Sequence, residues 1–470
     1  MKRVWRWVRW PLAGVAVLLL AAGGLYWFFL QHFNPDPPAN NFPKPATALE
    51  AQRQDLAYFR ELVALDRSFD PASRKVAQAR VSELETSNIA LPPQKLHVAL
   101  MQVMALADNG HTRMRILSDG PKPLMLPVRV TRFADGFYVM RAQAPYRDML
   151  GGRVESIDGV PFEQLLPKLE SLRGGIEAFR RDNAAIFIEV QDLLYGLDIA
   201  RDPKQSAWTV RLPSGRTATH ILPASPMRKD DPFPHGTRWL SPEPIKGMGP
   251  EWIAYQPATG ALPESLRRID RYFLRFAVHD SCAVYVRVQD IEDTDGQQIS
   301  PFLSETESEF RAHPPCAVIL DLRYNGGGDY TNAYGFAHRL PRLLAPGGRI
   351  YVLTDPETFS AAITTTAFVK ESGGDKVTIL GEPVGDRLAF YAEGGEGCLP
   401  NSKFCVDYET GKHDYAHPCR DWNVCYWLNW FFPVRVKTLE PDELVPLRFA
   451  DWNTGHDEAY DRAVALAGKK

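Results

Sequence analysis

The sequence predicts a multidomain protein in which α/β and α+β units follow an N-terminal transmembrane helix. This prediction depends on three stretches. Residues 11–30 contain no charged side chain, residues 122–215 have the pattern of short strands and turns, and residues 317–329 have the pattern of a buried strand entering a glycine turn. At about 150 residues per domain, 470 residues correspond to about three units, and a hydrophobic content of 45% is enough for substantial cores. The formal net charge of −3 gives no footprint for nucleic acid.

The N-terminal residues predict a membrane anchor and its orientation. Four cationic side chains lie within residues 2–9, ahead of the apolar run, and roughly 20 residues are enough to cross a bilayer. Because cationic flanks stay in the cytoplasm, we expect a single-pass inner-membrane protein whose body is on the periplasmic side. A cleavable signal is the alternative, since Ala21–Gly24 offers small residues. The apolar run continues past them to Leu30, which favours an uncleaved anchor.

The next segments predict a linker and a helical region. Residues 31–46 are rich in proline, which is typical of an extended, semi-rigid spacer that would hold the body off the membrane. From residue 47 to 120 apolar side chains recur at helical spacing, so we expect several helices there.

Cysteine usage favours disulfides in an oxidising compartment. The chain has six cysteines, an even number. Four of them lie within one segment: Cys398, Cys405, Cys419 and Cys425. Zinc is the competing interpretation, but the tight spacing of zinc ligand pairs is missing. The pairing cannot be deduced from the sequence. The pairs Cys398–Cys405 and Cys419–Cys425 are a guess, and Cys282 and Cys316 are expected to be buried thiols.

The glycine turn and a serine about thirty residues later form the strongest candidate site. Consecutive glycines let a backbone turn tightly and present its N–H groups to a ligand. Ser360 stands where a helix is expected to begin, after a strand at 349–354, and the orphan N–H groups of a helix start stabilise negative charge. Together they would provide a nucleophile and an oxyanion hole. The alternatives are a helix-capping serine and a plain turn.

The succession Asp321–Gly328, Thr358–Ala362 and Val377–Glu382 resembles the core of the C-terminal processing (tail-specific) serine peptidases and their tricorn-core relatives. Upstream, Leu106–Thr112 resembles the family's Asp-x-His-Thr segment, and Pro441–Val445 resembles part of its tail. The similarity extends loosely from about residue 50 to the C-terminus. It implies an α/β catalytic core of the ClpP/crotonase-like type, polypeptide substrates, and chemistry that requires no metal or organic cofactor.

The resemblance also implies a base. In the branch that uses a Ser-Lys dyad, the strand after the nucleophile ends in Gly-Glu-x-x-x-Gly-Lys, but here Asp386 stands at the lysine position. Arg387 cannot replace the lysine, because a guanidinium is not deprotonated in proteins. The tricorn-like branch uses the upstream histidine, here His111, whose ordinary pKa near 6.5 suits proton abstraction at neutral pH. A histidine satisfied at a helix end is the alternative.

The orienting acid of the triad is not identified by the sequence. The position that aligns with the tricorn-like acid falls near Arg435, and Gly110 replaces the serine that precedes the histidine in tricorn. The candidates for the acid are Glu440, Asp442 and Asp457.

Residues 122–225 predict a β-rich module. Strands are expected at 126–130, 136–140 and 153–157, and the Asp158-Gly159 turn is followed by a helical stretch. Gly151–Pro161 resembles the corresponding strand and turn of PDZ-like domains, which capture a peptide end at a sheet edge. A featureless α+β insert is the alternative.

These observations predict a membrane-anchored periplasmic serine endopeptidase. Ser360 would be the nucleophile, His111 the base, and the N–H groups of Gly327 and Ala361 the oxyanion hole. The alternative is a catalytically inactive peptide-binding pseudo-peptidase. The expected organisation is a cytoplasmic tail at 1–10, a transmembrane anchor at 11–30, a Pro-rich linker at 31–46, a helical region at 47–120, a PDZ-like module at 122–225 and an α/β peptidase core at 226–470.

Overall fold

The computed structural model describes residues 2–117, 120–229, 231–232, 239–268 and 270–468, with side chains from residue 15 onward. The α-helices are α1 Lys2–Phe33, α2 Ala48–Leu65, α3 Pro71–Thr86, α4 Pro93–Ala105, α5 Phe162–Glu170, α6 Glu177–Phe187, α7 Gln191–Gly196, α8 Ile299–Ala312, α9 Thr331–Arg339, α10 Ala361–Gly373, α11 Phe449–Asn453 and α12 Glu458–Ala467.

The strands are β1 Arg113–Met114, β2 Leu124–Met125, β3 Val128–Phe133, β4 Gly136–Gln143, β5 Arg153–Ile157, β6 Val160–Pro161, β7 Gln205–Arg211, β8 Thr217–Pro223, β9 Ser225–Pro226, β10 Trp252–Ala254, β11 Phe273–Ala277, β12 Ala283–Val288, β13 Ala317–Asp321, β14 Arg349–Thr354, β15 Val377–Gly381, β16 Ala389–Cys398, β17 Cys405–Asp414 and β18 Glu443–Leu444. The strands and helices occur in runs before α8 and alternate from α8 to β15.

The helix α1 ends inside the folded body. Within the described residues one helix segment, Val15–Phe33, is long and apolar enough to cross a membrane. Most of its side chains are exposed, but Phe33 at its end is 0% exposed and packs in a core cluster. The prediction of an apolar N-terminal helix is therefore confirmed, and the helix extends further than the apolar run.

The proline-rich segment after α1 lies against the body. The Tyr58 hydroxyl donates to the Pro38 carbonyl at 3.0 Å, and the Gln54 side chain donates to the Pro43 carbonyl at 3.1 Å. The Tyr408 hydroxyl donates to the Pro35 carbonyl. These bonds fix the segment to α2 and β17, so it runs along the body and does not project freely from it.

The helical region and the β-rich module share one core. The predicted helices before residue 105 are confirmed as α2, α3 and α4, and the three predicted strands of the module correspond to β3, β4 and β5. A sheet with the order β10-β4-β5-β7-β8 forms the module, in which β3 pairs with β4. Buried side chains of α2 and α4 belong to the same cluster as those of this sheet. Both units therefore position the loop between α4 and β1.

A second sheet forms the C-terminal half. Its order is β11-β12-β13-β14-β15-β18, and every pair from β12 onward is parallel. One core cluster contains side chains of α8, α9 and α10, and another contains side chains of α12. The strand β13 is buried along its whole length, as expected for a parallel strand covered on both faces. The molecule is a mixed α/β multidomain protein, as predicted.

All six cysteines form disulfides. The guessed pairs Cys398–Cys405 and Cys419–Cys425 are confirmed. The expectation of buried thiols at Cys282 and Cys316 is wrong, because these two residues form the third disulfide. They precede Ala283 and Ala317, which are register partners in the parallel strands β12 and β13, so the sheet itself brings the two sulfurs together.

Candidate active site

The glycine turn and the serine meet at the carboxyl ends of two neighbouring strands. The strands β13 and β14 are parallel partners, with Asp321 opposite Leu353. The turn with three glycines follows β13, and Ser360 follows β14 at the start of α10. The backbone N–H of Phe359 donates to the carbonyl of Asn325 at 2.9 Å and joins the two turns. Adjacent parallel strands thus bring together two motifs that are far apart in sequence, as expected of this architecture.

Ser360 has a strained backbone. Its φ of 52° and ψ of −121° lie outside the regions that residues with a Cβ favour. Its side chain makes no capping hydrogen bond to the helix, so the capping alternative does not describe it. A serine held on a strained strand-to-helix turn is a known way to expose a nucleophilic hydroxyl.

The strained turn is held by the Asp355 carboxylate. This side chain accepts hydrogen bonds from the Tyr324 N–H at 3.1 Å and the Thr358 N–H at 2.9 Å. The Thr358 hydroxyl donates to the Leu322 carbonyl at 2.9 Å. Burial raises the pKa of Asp355 to about 7, while its bond from Tyr324 opposes that rise. Asp355 therefore connects the glycine turn to the serine turn through hydrogen bonds on both sides.

Gly327 packs directly on the serine. A Cβ at this position would lie 2.6 Å from Ser360 Cβ, 3.1 Å from Ser360 Oγ and 3.2 Å from the nitrogen of Ala361. Its φ of +121° is also a conformation that L residues rarely adopt. The Gly327 N–H donates to Oδ1 of Asn325 at 2.9 Å, so this expected oxyanion donor is engaged within the turn. Ala361 is the first residue of α10, so its N–H has no acceptor within the helix.

His111 lies in a column of parallel aromatic rings. Its ring centroid is 4.2 Å from that of Phe359, the residue before Ser360, and 5.4 Å from that of Phe390. Phe179 stacks on the far side of Phe359, and His413 stacks on the far side of Phe390. The column therefore places the imidazole beside the turn that carries the serine.

Burial and neighbouring charges favour the neutral form of the His111 imidazole. Burial lowers its pKa well below 6.5, and the nearby charges of His413, Arg173 and Arg113 act in the same direction. Both ring nitrogens are buried, and among the described residues neither has a hydrogen-bond partner. A neutral ring without a partner has a free lone pair to accept a proton.

Asp386 positions the loop that carries His111. The side chain is 4% exposed, and its carboxylate accepts hydrogen bonds from the Gly110 N–H at 3.0 Å and the Arg387 N–H at 2.8 Å. Burial raises the pKa of Asp386 to about 6. A Cβ on Gly110 would lie 2.8 Å from Asp386 Oδ2 and 2.7 Å from Phe359, so only glycine fits there without displacement. The aspartate at the lysine position of the other branch thus fixes the backbone before the histidine.

The three candidate acids are occupied elsewhere. Asp457 is 1% exposed and pairs with Arg323 at 2.7 Å, which lowers the pKa of its carboxyl. Asp442 accepts from the Ile379 N–H at 2.8 Å, and Glu440 is exposed. Among the described residues, neither ring nitrogen of His111 bonds any of these three carboxylates, so the orienting acid stays unassigned.

A second buried histidine was missed by the sequence reasoning. His413 on β17 is 2% exposed, and its Nδ1 lies 3.2 Å from both the Tyr415 hydroxyl and the Asn429 side-chain nitrogen. Oε1 of Glu393 lies 3.5 Å from its Nε2. The Tyr415 hydroxyl in turn bonds the Thr364 hydroxyl of α10 at 2.6 Å. No local motif marks His413, since only the pairing of β16 with β17 brings it to the column.

The fold resembles that of solved proteins. Mature CPAF complexed with lactacystin matches at a TM-score of 0.57 and 14% identity, over 89% of this chain and 98% of that chain. A serine-to-alanine mutant of CPAF matches at 0.58 and 14%, over 90% and 98%. The photosystem II D1 C-terminal processing protease matches at 0.35 and 14%, over 87% and 98%. No protein-family model and no curated protein sequence matches the chain. The chain therefore shares the overall fold of CPAF.

Proposed function

We propose that this protein is a membrane-anchored serine endopeptidase of the C-terminal processing, tricorn-like type. The observation that carries the proposal is the strained turn at Ser360, with Gly327 packed against its hydroxyl and the Ala361 N–H at the start of the following helix. A strained serine next to a helix start and a glycine turn is an arrangement suited to acyl transfer.

In the proposed reaction Ser360 Oγ attacks the scissile carbonyl carbon while His111 takes the hydroxyl proton. The carbonyl electron pair moves onto oxygen, and the N–H groups of Ala361 and Gly327 stabilise that oxyanion. The Gly327 N–H must first leave Asn325 Oδ1, since catalytic hydrogen bonds often form only with substrate present. When the C–N bond breaks, His111 returns the proton to the leaving amine, and water later releases the acyl group by the same steps. This chemistry needs no metal or organic cofactor.

The module at residues 122–225 is proposed to be PDZ-like and to receive a peptide end. Its strand β8 is at the end of the sheet order, and an edge strand offers unpaired backbone groups to an added peptide. Arg132 of β3 bonds Glu382 at 2.8 Å and Asp182 at 3.0 Å. Glu382 directly follows β15 of the peptidase sheet, so the ion pair would connect peptide capture to the catalytic core, proposed here to be ClpP/crotonase-like.

The proposed location is the periplasmic side of the inner membrane. The three disulfides indicate an oxidising compartment, and the exposed apolar part of α1 fits a single membrane span. The four cationic residues before it favour a cytoplasmic N-terminus.

A second candidate is a peptide-binding protein without turnover. One observation favours it: His111 has no acidic partner among the described residues, whereas a third group normally orients a catalytic histidine.

Reaction of the purified full chain with a fluorophosphonate probe separates the two. The peptidase should form an adduct on Ser360, which mass spectrometry of tryptic peptides locates, and Ser360→Ala should abolish it. An absent adduct, or one on another serine, supports the binding protein.

A further inference from the structure

The end of α1 continues into an aromatic surface on the body. The ring of Trp427 lies 5.9 Å from Phe28, 5.8 Å from Phe29 and 5.4 Å from His32, all of them on α1. On its other side Trp427 lies 3.9 Å from Trp422. The helix is therefore joined to the body by packed rings at a defined place.

The outer side chains of this surface are exposed. Trp422 is 49% exposed, Trp430 is 42% exposed and Phe431 is 75% exposed. We call these three residues the aromatic platform. Trp422 and Trp430 are 5.4 Å apart, and the Cys419–Cys425 disulfide closes the loop from which Trp422 projects. Large apolar side chains grouped on a surface usually mark a site of interaction.

The level at which α1 meets the body indicates that the platform faces the membrane. An α-helix rises about 1.5 Å per residue, so the charge-free residues 11–30 extend over about 30 Å, the thickness of a hydrocarbon core. The outer boundary of that core then falls at Phe28–Leu30, which is where α1 meets Trp427. Tryptophan is enriched at this depth because its ring is apolar and its N–H seeks water.

The charges around the platform fit lipid headgroups. Along the chain Arg420 precedes it and Arg435 and Lys437 follow it; all three cations are exposed, as is the single anion Asp421 beside Trp422. Cationic side chains beside an interfacial aromatic cluster attract anionic phosphates.

We propose that the aromatic platform inserts into the interface of the membrane that α1 crosses, so that the body lies directly on the bilayer. This inference rests on the membrane anchor of the proposed function and adds a second membrane contact, made by the body itself. The segment after α1 agrees with it, because residues 34–46 run back over the body.

The test uses the full chain in nanodiscs of phosphatidylcholine and phosphatidylglycerol. An apolar diazirine that partitions into the acyl region is photolysed, and the labelled peptides are identified by mass spectrometry. Label is expected on α1 and on the peptides that carry the platform. The controls are Ile89, Ile221 and Leu444, which are 77%, 61% and 68% exposed and should carry several-fold less label.

A second measurement uses a conservative variant. Lipids brominated near the headgroup should quench Trp430, so the quenched fraction of the fluorescence should be smaller in Trp430→Phe than in the wild-type chain. Trp252→Phe, on β10 of the module, is the matched control and should not reduce it.

The outcomes separate the claims. Label on α1 with only control-level label on the platform overturns the platform and leaves the anchor. Absence of label from α1 overturns both. Label on both, in a chain whose Ser360 does not react with a fluorophosphonate, supports the platform and contradicts the peptidase.

Discussion

The two halves of the candidate site are built in different ways. The serine half consists of consecutive turns at the ends of two adjacent parallel strands, fixed by backbone bonds and by Asp355. The histidine half is assembled from separate segments: the loop at His111 is held by Asp386, and its ring is held between Phe359 and Phe390. Hydrogen bonds hold the turn that carries Ser360, whereas the ring of His111 is held by packing alone.

This difference has a chemical consequence. A nucleophile on a hydrogen-bonded turn keeps its position whether or not substrate is present. An imidazole held by stacking can rotate in the plane of its ring, and no acid among the described residues fixes its tautomer. In the serine half, activity should therefore depend most on backbone shape. In the histidine half, it should depend most on charge and packing.

The largest expected effect comes from removing either reacting group. Ser360→Ala and His111→Ala should each lower kcat/KM by about 10³-fold or more, because residues that act as a unit lose function together. The double variant should be no worse than the single variants. Steady-state cleavage of a peptide library by the full chain measures all three, with thermal unfolding as the control for folding.

A different pattern would contradict the assignment. A His111→Ala chain that retains a tenth of its activity has its base elsewhere, and His413 in the same ring column is then the first residue to replace.

The next effect separates two neighbouring glycines of the serine half. Gly327→Ala should lower kcat by about 10²-fold, since its Cβ would lie 2.6 Å from Ser360 Cβ and would displace an oxyanion donor. Gly326→Ala is the matched control, because its Cβ would meet nothing within 4 Å. Equal activities of the two variants would show that the close contact at Gly327 has no role in catalysis.

The sequence predicted the serine half well because that half is local. The pattern of a strand, a turn and a helix is present in consecutive residues, and parallel neighbours bring the two turns together. Cys282 and Cys316 were misassigned although each stands one residue before a strand, since their proximity depends on strand order. The path of residues 34–46 was also missed, because proline content predicts an extended chain but not the surface it lies on.

The histidine half was predicted only in part for the same reason. The motif around His111 identified the imidazole, but its neighbours come from β16, β17 and the loop after β15. In the sequence, Asp386 is notable only because it stands where the other branch has a lysine. Its role as the acceptor of the Gly110 N–H follows only from the folded chain.

A smaller effect is expected at Asp386, a positioning residue. Asp386→Ala should lower kcat by about 10-fold to 10²-fold with little change in KM, because loss of the Gly110 bond lets the His111 loop shift. Asp386→Asn keeps an oxygen acceptor and should restore most of the activity. If alanine and asparagine act alike, the negative charge matters and the hydrogen bond does not.

The smallest expected effect concerns the pH dependence of kcat/KM. Here the structure leads to a different expectation from the sequence. An ordinary histidine predicts an acid limb of kcat/KM near neutrality, but burial and the charges of His413, Arg173 and Arg113 lower the pKa of His111 well below 6.5. The proposed base works in its neutral form, so the ionisation of His111 should leave activity unchanged through neutral pH and reduce it only as the pH drops through that lowered pKa. The folded chain also resists protonating this ring, so stability is lost as the pH falls below 6.5. Thermal unfolding at each pH separates this loss from the titration of activity.

Arg173 provides the variant that tests this explanation. Its guanidinium is buried and lies 5.2 Å from the Phe179 ring, at the end of the column that contains His111. Arg173→Met removes a charge that lowers the pKa of His111 and keeps most of the apolar stem, so the acid limb should move to higher pH. Arg201→Met, at an exposed site, should leave the limb in place. Arg173 also interacts electrostatically with Asp386, so the limb is assigned to His111 only if the shift in Arg173→Met persists in a chain that also carries Asp386→Asn. An unmoved limb in both would mean that the limb reports another group, and the nearest alternatives are Asp386, whose pKa is about 6, and Asp355, whose pKa is about 7.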